Sequence, residues 1–235
     1  MSFSPDDSEP IPDDPREWRP QTIRRGRYQP DIVNPIVEPL WTGTRVIAHY
    51  RDAASDEEWG TVEVLDQVGE DATSQAPVAL DHLRRSVLAG QAVIDGIITT
   101  QATGGGEGTA VVVFARSQPV KRLILGGSES DIQFAPPRTR RHEGEPAFVA
   151  LDLLSIDGQT LFDVPLLERK RLLEGLIEES ELVRVSPWVR PPVRQWFSSW
   201  SAAGFRGVIL KSTNSRYTPG DETTQWALVE RMPRN

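Results

Sequence analysis

The sequence predicts an α+β fold in which strands form the core and a few helices lie outside it. Short apolar or alternating stretches recur along the chain, as expected for strands. Three segments have the spacing of amphipathic helices. The strands lie far apart in sequence and the chain contains no internal repeat, which favours a mixed fold over a repeat array.

The predicted strands are marked by their hydrophobic patterns, and they cover residues 45–51, 60–68, 92–99, 111–114, 148–156, 207–211 and 226–229. A glycine-rich run at 104–108 precedes the apolar stretch at 111–114. Because no Lys-Ser/Thr pair or helix start follows this run, we interpret it as a flexible hairpin loop and not as a phosphate-binding loop.

The three predicted helices share an apolar face and have recognisable ends. The first covers residues 77–89 and stops at Gly90. The second starts near Pro165, a residue favoured in the first turn of a helix. The third covers residues 193–202, with Trp196 and Trp200 four residues apart on one face.

Composition narrows the class of protein. The chain has 235 residues, a net charge of −8 and no cysteine, so disulfides and thiolate metal sites are excluded. The three histidines are scattered without ligand spacing, and we predict no metal site. No apolar run approaches the ~20 residues of a membrane span, so we expect a cytoplasmic protein without a membrane partner.

The N-terminal 32 residues are acidic and proline-rich, and we expect a disordered tail over 1–32 followed by one domain over 33–232. The positive charges at Arg24, Arg25 and Arg27 are interpreted as solvated, with contact to a phosphate backbone as the alternative. The basic residues at 138–142 are likewise interpreted as a solvated loop, with contact to nucleic acid as the alternative.

The stretch Glu-Pro-Leu-Trp-Thr-Gly-Thr-Arg at residues 38–45 leads into a predicted strand. It resembles the nucleophile motif of ATP-dependent DNA ligases, which reads close to Glu-Pro-Lys-Trp-Asp-Gly-x-Arg. Glu38, Trp41 and Arg45 match this motif, whereas Leu40 stands where the family has its lysine and Thr42 where it has aspartate.

Four further segments resemble the family in the same order along the chain. Residues 148–173 are similar to its Phe-Asp-x-Leu-x-x-x-Gly segment and the following Pro-Leu-x-x-Arg-x-x-Leu-Leu helix. Residues 94–97 resemble Asp-Gly-Glu, residues 206–220 resemble Glu-Gly-x-x-x-Lys followed by a Pro-Gly turn, and residues 226–230 resemble Trp-x-Lys-x-Lys. The resemblance covers residues 33–232.

This resemblance implies a nucleotidyltransferase, ATP-grasp-like DNA ligase adenylation fold, with two antiparallel sheets, flanking helices and ATP between the sheets. Family chemistry is the attack of a lysine amine on the α-phosphate of ATP. Because the chain stops shortly after Trp226, we expect no OB-fold domain.

The departures from the family fall on positions that bind or react with the nucleotide: Leu40, Thr42, Ile97, Leu151, Arg206 and Leu228. A leucine side chain cannot act as a nucleophile, and an arginine repels a divalent metal. We therefore expect no catalytic residue and no metal ligand. Glu38, Arg45 and Lys211 remain as predicted nucleotide-binding residues.

Two functions follow from this pattern. We prefer a degenerate, inactive ligase-like domain that acts as a binding or regulatory module, linked to DNA repair, with a protein partner and no cofactor. A nucleic-acid partner is a weaker prediction because of the negative charge. The alternative is an active ligase or nucleotidyltransferase that uses ATP and Mg²⁺ with Lys211 as a relocated nucleophile.

The two other lysines are expected away from the pocket, with Lys121 at a loop edge and Lys170 on a solvated helix face. We also expect the cleft to be closed by packing, with Leu40, Ile97, Leu151 and Leu228 in mutual contact. Arg206 would then pair with a carboxylate such as Glu38 at the rim.

Overall fold

The computed structural model describes residues 11–24, 32–53, 59–103, 142 and 144–232. The glycine-rich loop at 104–108, the predicted strand at 111–114, Lys121 and the basic residues at 138–141 lie outside these ranges. The elements below are numbered in chain order within the described residues.

The described residues contain three α-helices, close to those predicted. They are α1 (Pro77–Ser86), α2 (Leu166–Leu176) and α3 (Val193–Ala202). Pro77 occupies the first turn of α1 and Pro165 is the N-cap of α2, because a proline ring suits the start of a helix and lacks an N–H that would need a partner. The first helix ends earlier than predicted because Val87 is extended and forms a β-bridge with Ile177.

The larger sheet has six strands: β3 (Thr44–Arg51), β4 (Thr61–Asp66), β5 (Gln91–Thr99), β6 (Ala147–Ile156), β7 (Gln159–Thr160) and β8 (Val183–Val185). Its order is β4-β3-β5-β6-β7 with antiparallel neighbours, and β8 adds to β6 in parallel. Gly96 allows β5 and β6 to approach closely, since a Cβ at this position would lie 2.4 Å from the ring of Phe148.

The smaller sheet has β9 (Val208–Ser212) at its centre, antiparallel to both β2 (Pro35–Pro39) and β11 (Trp226–Val229). Its outer face packs on α3, where Val37 and Val208 contact the buried Trp196 and Trp200. The predicted arrangement of two antiparallel sheets with flanking helices is therefore confirmed.

Residues 11–24 form ordered structure, so the prediction of a disordered tail is wrong for this part of the range 1–32. A 3₁₀ turn at Pro15–Glu17 is followed by β1 (Thr22–Ile23), which pairs in parallel with β10 (Glu222–Thr223). Trp18 is 2% exposed and packs in an apolar cluster. Burial of this indole offsets the entropy cost of ordering an acidic segment. The composition of the segment does not reveal that its tryptophan is buried.

The main core lies between the six-stranded sheet and the helices α1 and α2. Leu80 and Leu83 of α1 and Leu173 and Leu176 of α2 are its helical members. Among the described residues, no helix is both long and apolar enough to cross a membrane.

Candidate functional site

Two inner sheet faces oppose each other and define the inter-sheet cleft. On the six-stranded sheet, the register places Ile47 beside Asp95 and Asp95 beside Asp152, so these side chains share one face. On the smaller sheet, Glu38 and Lys211 meet through their side chains, and Trp226 is the register partner of Lys211. The charged groups of both sheets thus lie in one buried layer.

Glu38 is held between two lysines. Its Oε2 accepts a hydrogen bond from Lys211 Nζ at 3.1 Å, and its Oε1 lies 2.8 Å from Lys170 Nζ. The Lys170 side chain is 0% exposed, so the prediction that it lies on a solvated helix face is wrong. The reason lies in helix geometry, because Lys170 follows Leu166 by four residues and precedes Leu173 by three.

Lys211 is buried between Glu38 and the ring of Trp226. It is 2% exposed, and its ammonium lies 4.4 Å from the centre of the Trp226 ring. Burial disfavours the charged amine, and Lys170 and Arg45 add repulsion that the Glu38 carboxylate only partly offsets, so the pKa of Lys211 is lowered.

Arg45 is fixed by Asp95. Its guanidinium donates to both carboxylate oxygens, at 2.5 Å and 2.6 Å. Burial disfavours the charge, but the attraction of Asp95 outweighs it and raises the pKa of Arg45 above its ordinary value. A charge-assisted pair of this bidentate kind is strong and directional, so Arg45 is oriented by the protein itself.

Tyr217 extends this pair to the N-terminal segment. Its hydroxyl donates to Asp95 Oδ2 at 2.7 Å and accepts from the backbone N–H of Gln21 at 2.9 Å. Burial and the neighbouring carboxylate both disfavour the phenolate, so the pKa of Tyr217 lies well above its ordinary value.

A second bidentate pair joins β6 to α2. Arg169 donates to the two oxygens of Asp152 at 2.9 Å and 2.7 Å, and both side chains are 0% exposed. The same guanidinium reaches the carbonyl oxygens of Val164 and Ser215. Burial would raise the pKa of Asp152, but the attraction of Arg169 exceeds this effect and the pKa is lowered.

Together these side chains form a buried charge network of three carboxylates and four cations: Glu38, Asp95, Asp152, Arg45, Arg169, Lys170 and Lys211. Arg45 lies at its edge, with 20% of the side chain exposed. Every carboxylate in it contacts at least one cation. Buried charges are tolerated when they are paired in this way. The network occupies part of the layer between the two sheets, beside the apolar cluster that contains Ile47 and Trp226.

The residues that depart from the ligase motifs do not meet in one cluster. Ile97 and Leu151 are 6% and 5% exposed and belong to the main core. Leu40 and Leu228 are half-buried and join none of the three buried clusters of the described residues. The predicted closure by mutual contact of the four is therefore wrong, because Leu40 and Leu228 do not join the buried cluster that contains Ile97 and Leu151.

Arg206 is exposed, and the predicted pairing with Glu38 does not occur because both oxygens of Glu38 face lysines. Leu40 follows β2 directly, and its backbone N–H donates to the Gly207 carbonyl at 2.9 Å. Gly43, which the ligase motif shares, lies where a Cβ would come within 2.1 Å of the Ile98 carbonyl oxygen. A glycine is therefore needed here for close approach of the backbone.

The structure brings the three predicted site residues together. Glu38, Arg45 and Lys211 are close enough for their charges to influence one another. Each is already paired with a protein group, and their assignment to nucleotide binding stays a prediction. Sequence reasoning missed Lys170, the Arg45 partner Asp95, and Tyr217, which donates a hydrogen bond to Asp95. The apolar spacing around Lys170 was the available signal.

Two observations bear on the ATP and Mg²⁺ that the family implies. Carboxylates suitable for a metal are occupied by buried cations, and no group of three or more candidate ligands occurs within the described residues. Position 40 carries a leucine in place of the amine.

Comparison with known proteins gives the family. The model for the ATP dependent DNA ligase domain matches residues 33–229. "DNA ligase" from Methanothrix thermoacetophila is 29% identical over 198 residues, which cover 83% of this chain and 32% of that protein. "DNA ligase 2" from Methanosarcina mazei is 26% identical over 226 residues, covering 88% and 36%. The chain thus spans about a third of the length of these curated relatives.

Solved structures show the same fold. The ligase domain of LigD from M. tuberculosis superposes with a TM-score of 0.58 at 22% identity, covering 92% of this chain and 60% of that one. A Lig E DNA ligase described as binding DNA with a minimal scaffold gives 0.51 at 14% identity, covering 92% and 69%. The chain belongs to the ATP-dependent DNA ligase family, and its fold is that of the adenylation domain.

Proposed function

We propose that this domain is a catalytically inactive member of the ligase family that works as a binding or regulatory module. The proposal rests on the residues that line the cleft. Leu40 replaces the nucleophile, and both oxygens of the nearby Glu38 are engaged by lysines of the chain itself.

In this family a lysine amine attacks the α-phosphate of ATP. An amine attacks because it has a lone pair when deprotonated, and a leucine side chain has none. Loss of a catalytic nucleophile alone lowers rates by about 10⁶-fold in well-studied enzymes. The cations that would attract a nucleotide are already paired with carboxylates of the chain, Arg45 with Asp95 and Lys211 with Glu38.

A module without catalysis acts by contact with another molecule. We infer a protein partner in the cytoplasm. We also infer a connection with DNA repair, because the relatives that match the chain are named DNA ligases. Nucleic acid is the weaker candidate, since the net charge of −8 opposes binding to a phosphate backbone. No cofactor is part of this proposal.

One observation favours the alternative, in which Lys211 is a relocated nucleophile. Its pKa is lowered, and a lowered pKa makes an amine more nucleophilic at neutral pH. Against this stands its geometry, because Lys211 is 2% exposed and its ammonium is bonded to Glu38.

An adenylation assay separates the two functions. The whole chain is incubated with ATP labelled at the α-phosphate and with Mg²⁺, then separated under denaturing conditions. We expect no label on wild type or on Lys211→Met. Label on wild type that disappears in Lys211→Met would establish the relocated nucleophile and overturn the proposal.

A further inference from the structure

The N-terminal segment Ile11–Arg24, here called the strap, lies outside residues 33–229, which match the family. It starts beside the larger sheet and ends beside β10, the short strand that precedes β11 of the smaller sheet. Near its start, the Arg16 guanidinium is 2.5 Å from Glu63 on β4. Near its end, β1 pairs with β10, and the Gly220 N–H donates to the Arg19 carbonyl at 2.8 Å.

Trp18 anchors the middle of the strap between the sheets. Its ring packs in one apolar cluster with Ile47 of the larger sheet and Trp226 of the smaller sheet. It also meets Phe162 edge to face, with ring centres 4.6 Å apart, and its indole N–H donates to the Pro12 carbonyl at 2.8 Å. One side chain of the strap therefore belongs to the apolar cluster to which both sheets contribute.

A hydrogen-bonded chain connects the strap to the buried charge network. The backbone N–H of Gln21 donates to the Tyr217 hydroxyl, and that hydroxyl donates to Asp95. Asp95 in turn orients Arg45. Departure of the strap would leave the Tyr217 hydroxyl without its donor and expose an aromatic surface.

We propose that the strap is a built-in latch that holds the two sheets together, and that its release opens the aromatic end of the cleft to solvent. Individual segments of a folded protein open locally with their own free energies, and amide hydrogen exchange measures such opening. The latch is a property of the fold and stands whether or not the domain adenylates.

Hydrogen exchange on the whole chain tests the latch. In Trp18→Ala we expect at least about tenfold faster exchange both in β1 and at cleft amides such as that of Tyr217, which is bonded to the Phe162 carbonyl. The matched control is Trp59→Ala, because Trp59 is 42% exposed and contacts Arg85. Faster exchange in β1 alone, with cleft amides unchanged, would overturn the proposal.

A reversible cross-link keeps the test valid if Trp18→Ala does not fold. Thr22 and Glu222 are register partners and both are exposed, and the chain has no cysteine, so Thr22→Cys with Glu222→Cys offers a single disulfide. In the otherwise unchanged chain, oxidation should slow exchange at the Tyr217 amide relative to the reduced form. Equal rates in the two forms would contradict a latch.

Discussion

The ammonium of Lys170 lies 2.8 Å from a carboxylate oxygen of Glu38, and their side chains are 0% and 2% exposed. Lys211 approaches the other oxygen of the same carboxylate. One buried anion thus compensates two buried cations from α2 and β9. Two lysines of the chain therefore supply positive charge in this cleft, and the Glu38 carboxylate compensates it.

This arrangement predicts an order of stabilities. Glu38→Gln leaves two buried ammonium groups without a counter-charge, and we expect a loss of about 3–5 kcal/mol in the free energy of unfolding. Lys170→Met and Lys211→Met each leave Glu38 with one lysine, so each should cost less. Urea denaturation of the three variants checks the order. A Glu38→Gln variant at least as stable as either lysine variant would contradict it.

The sequence predicted the elements whose apolar pattern is local. Trp196 and Trp200 fixed the helix Val193–Ala202, and the run beginning at Trp226 fixed the last strand. The buried charges could not be predicted in the same way, because lysine is almost always solvated and its partner Glu38 is 132 positions before Lys170. Pairing across that separation is decided by the packing of α2 on the sheet.

Trp18 shows the same limit at the N-terminus. An indole among acidic residues and prolines gives no periodic signal, and its partners Phe162 and Tyr217 come from the far half of the chain. The family motifs gave the positions of Glu38, Arg45 and Lys211 in advance. They did not show that each of these side chains forms an ion pair within the protein.

Restoring the nucleophile position provides a second prediction. Leu40 is half-buried at the end of β2, so a lysine there can extend its amine to solvent and Leu40→Lys should change stability by less than about 0.5 kcal/mol. In a closed leucine cluster the same substitution would bury an ammonium group and destabilise the fold. Thermal midpoints of Leu40→Lys and Leu40→Met check the expectation, and a large drop confined to the lysine variant would show that position 40 is buried.

The same Leu40→Lys variant should remain unmodified by ATP and Mg²⁺. The carboxylates around position 40 are still paired with cations, so no charge-neutralising metal site accompanies the new amine. Intact mass spectrometry reads this directly. An added AMP on the variant, absent from wild type, would mean that Leu40 alone had disabled the site.

The pair of Asp152 and Arg169 should be the costliest single bridge to break. Arg169→Met leaves a fully buried carboxylate without its partner, with an expected loss of about 3–5 kcal/mol. Replacing both, as Asp152→Asn with Arg169→Met, should cost less than the sum of the two single changes. A double-mutant cycle by chemical denaturation measures this, and strict additivity would contradict a coupled pair.

Tyr217 predicts a pH dependence at the alkaline end. Its folded pKa lies well above 10.0, whereas the unfolded chain ionises near that value. Since the folded state keeps the proton, stability is present below pH 10.0 and falls as pH rises towards the folded pKa, by about 1.4 kcal/mol per pH unit. Tyr217→Phe lacks this proton, so the stability gap between wild type and variant should narrow above about pH 10. A gap that stays constant from about pH 9 to about pH 11 would refute the assignment.

The charges in the inter-sheet cleft are paired with one another, and we therefore propose that the cleft admits no nucleotide. Titration calorimetry with ATP, in the presence and absence of Mg²⁺, measures this binding. We predict a dissociation constant weaker than ~1 mM, which corresponds to under about 4 kcal/mol of binding free energy. Micromolar binding of ATP to the unmodified chain would contradict the account.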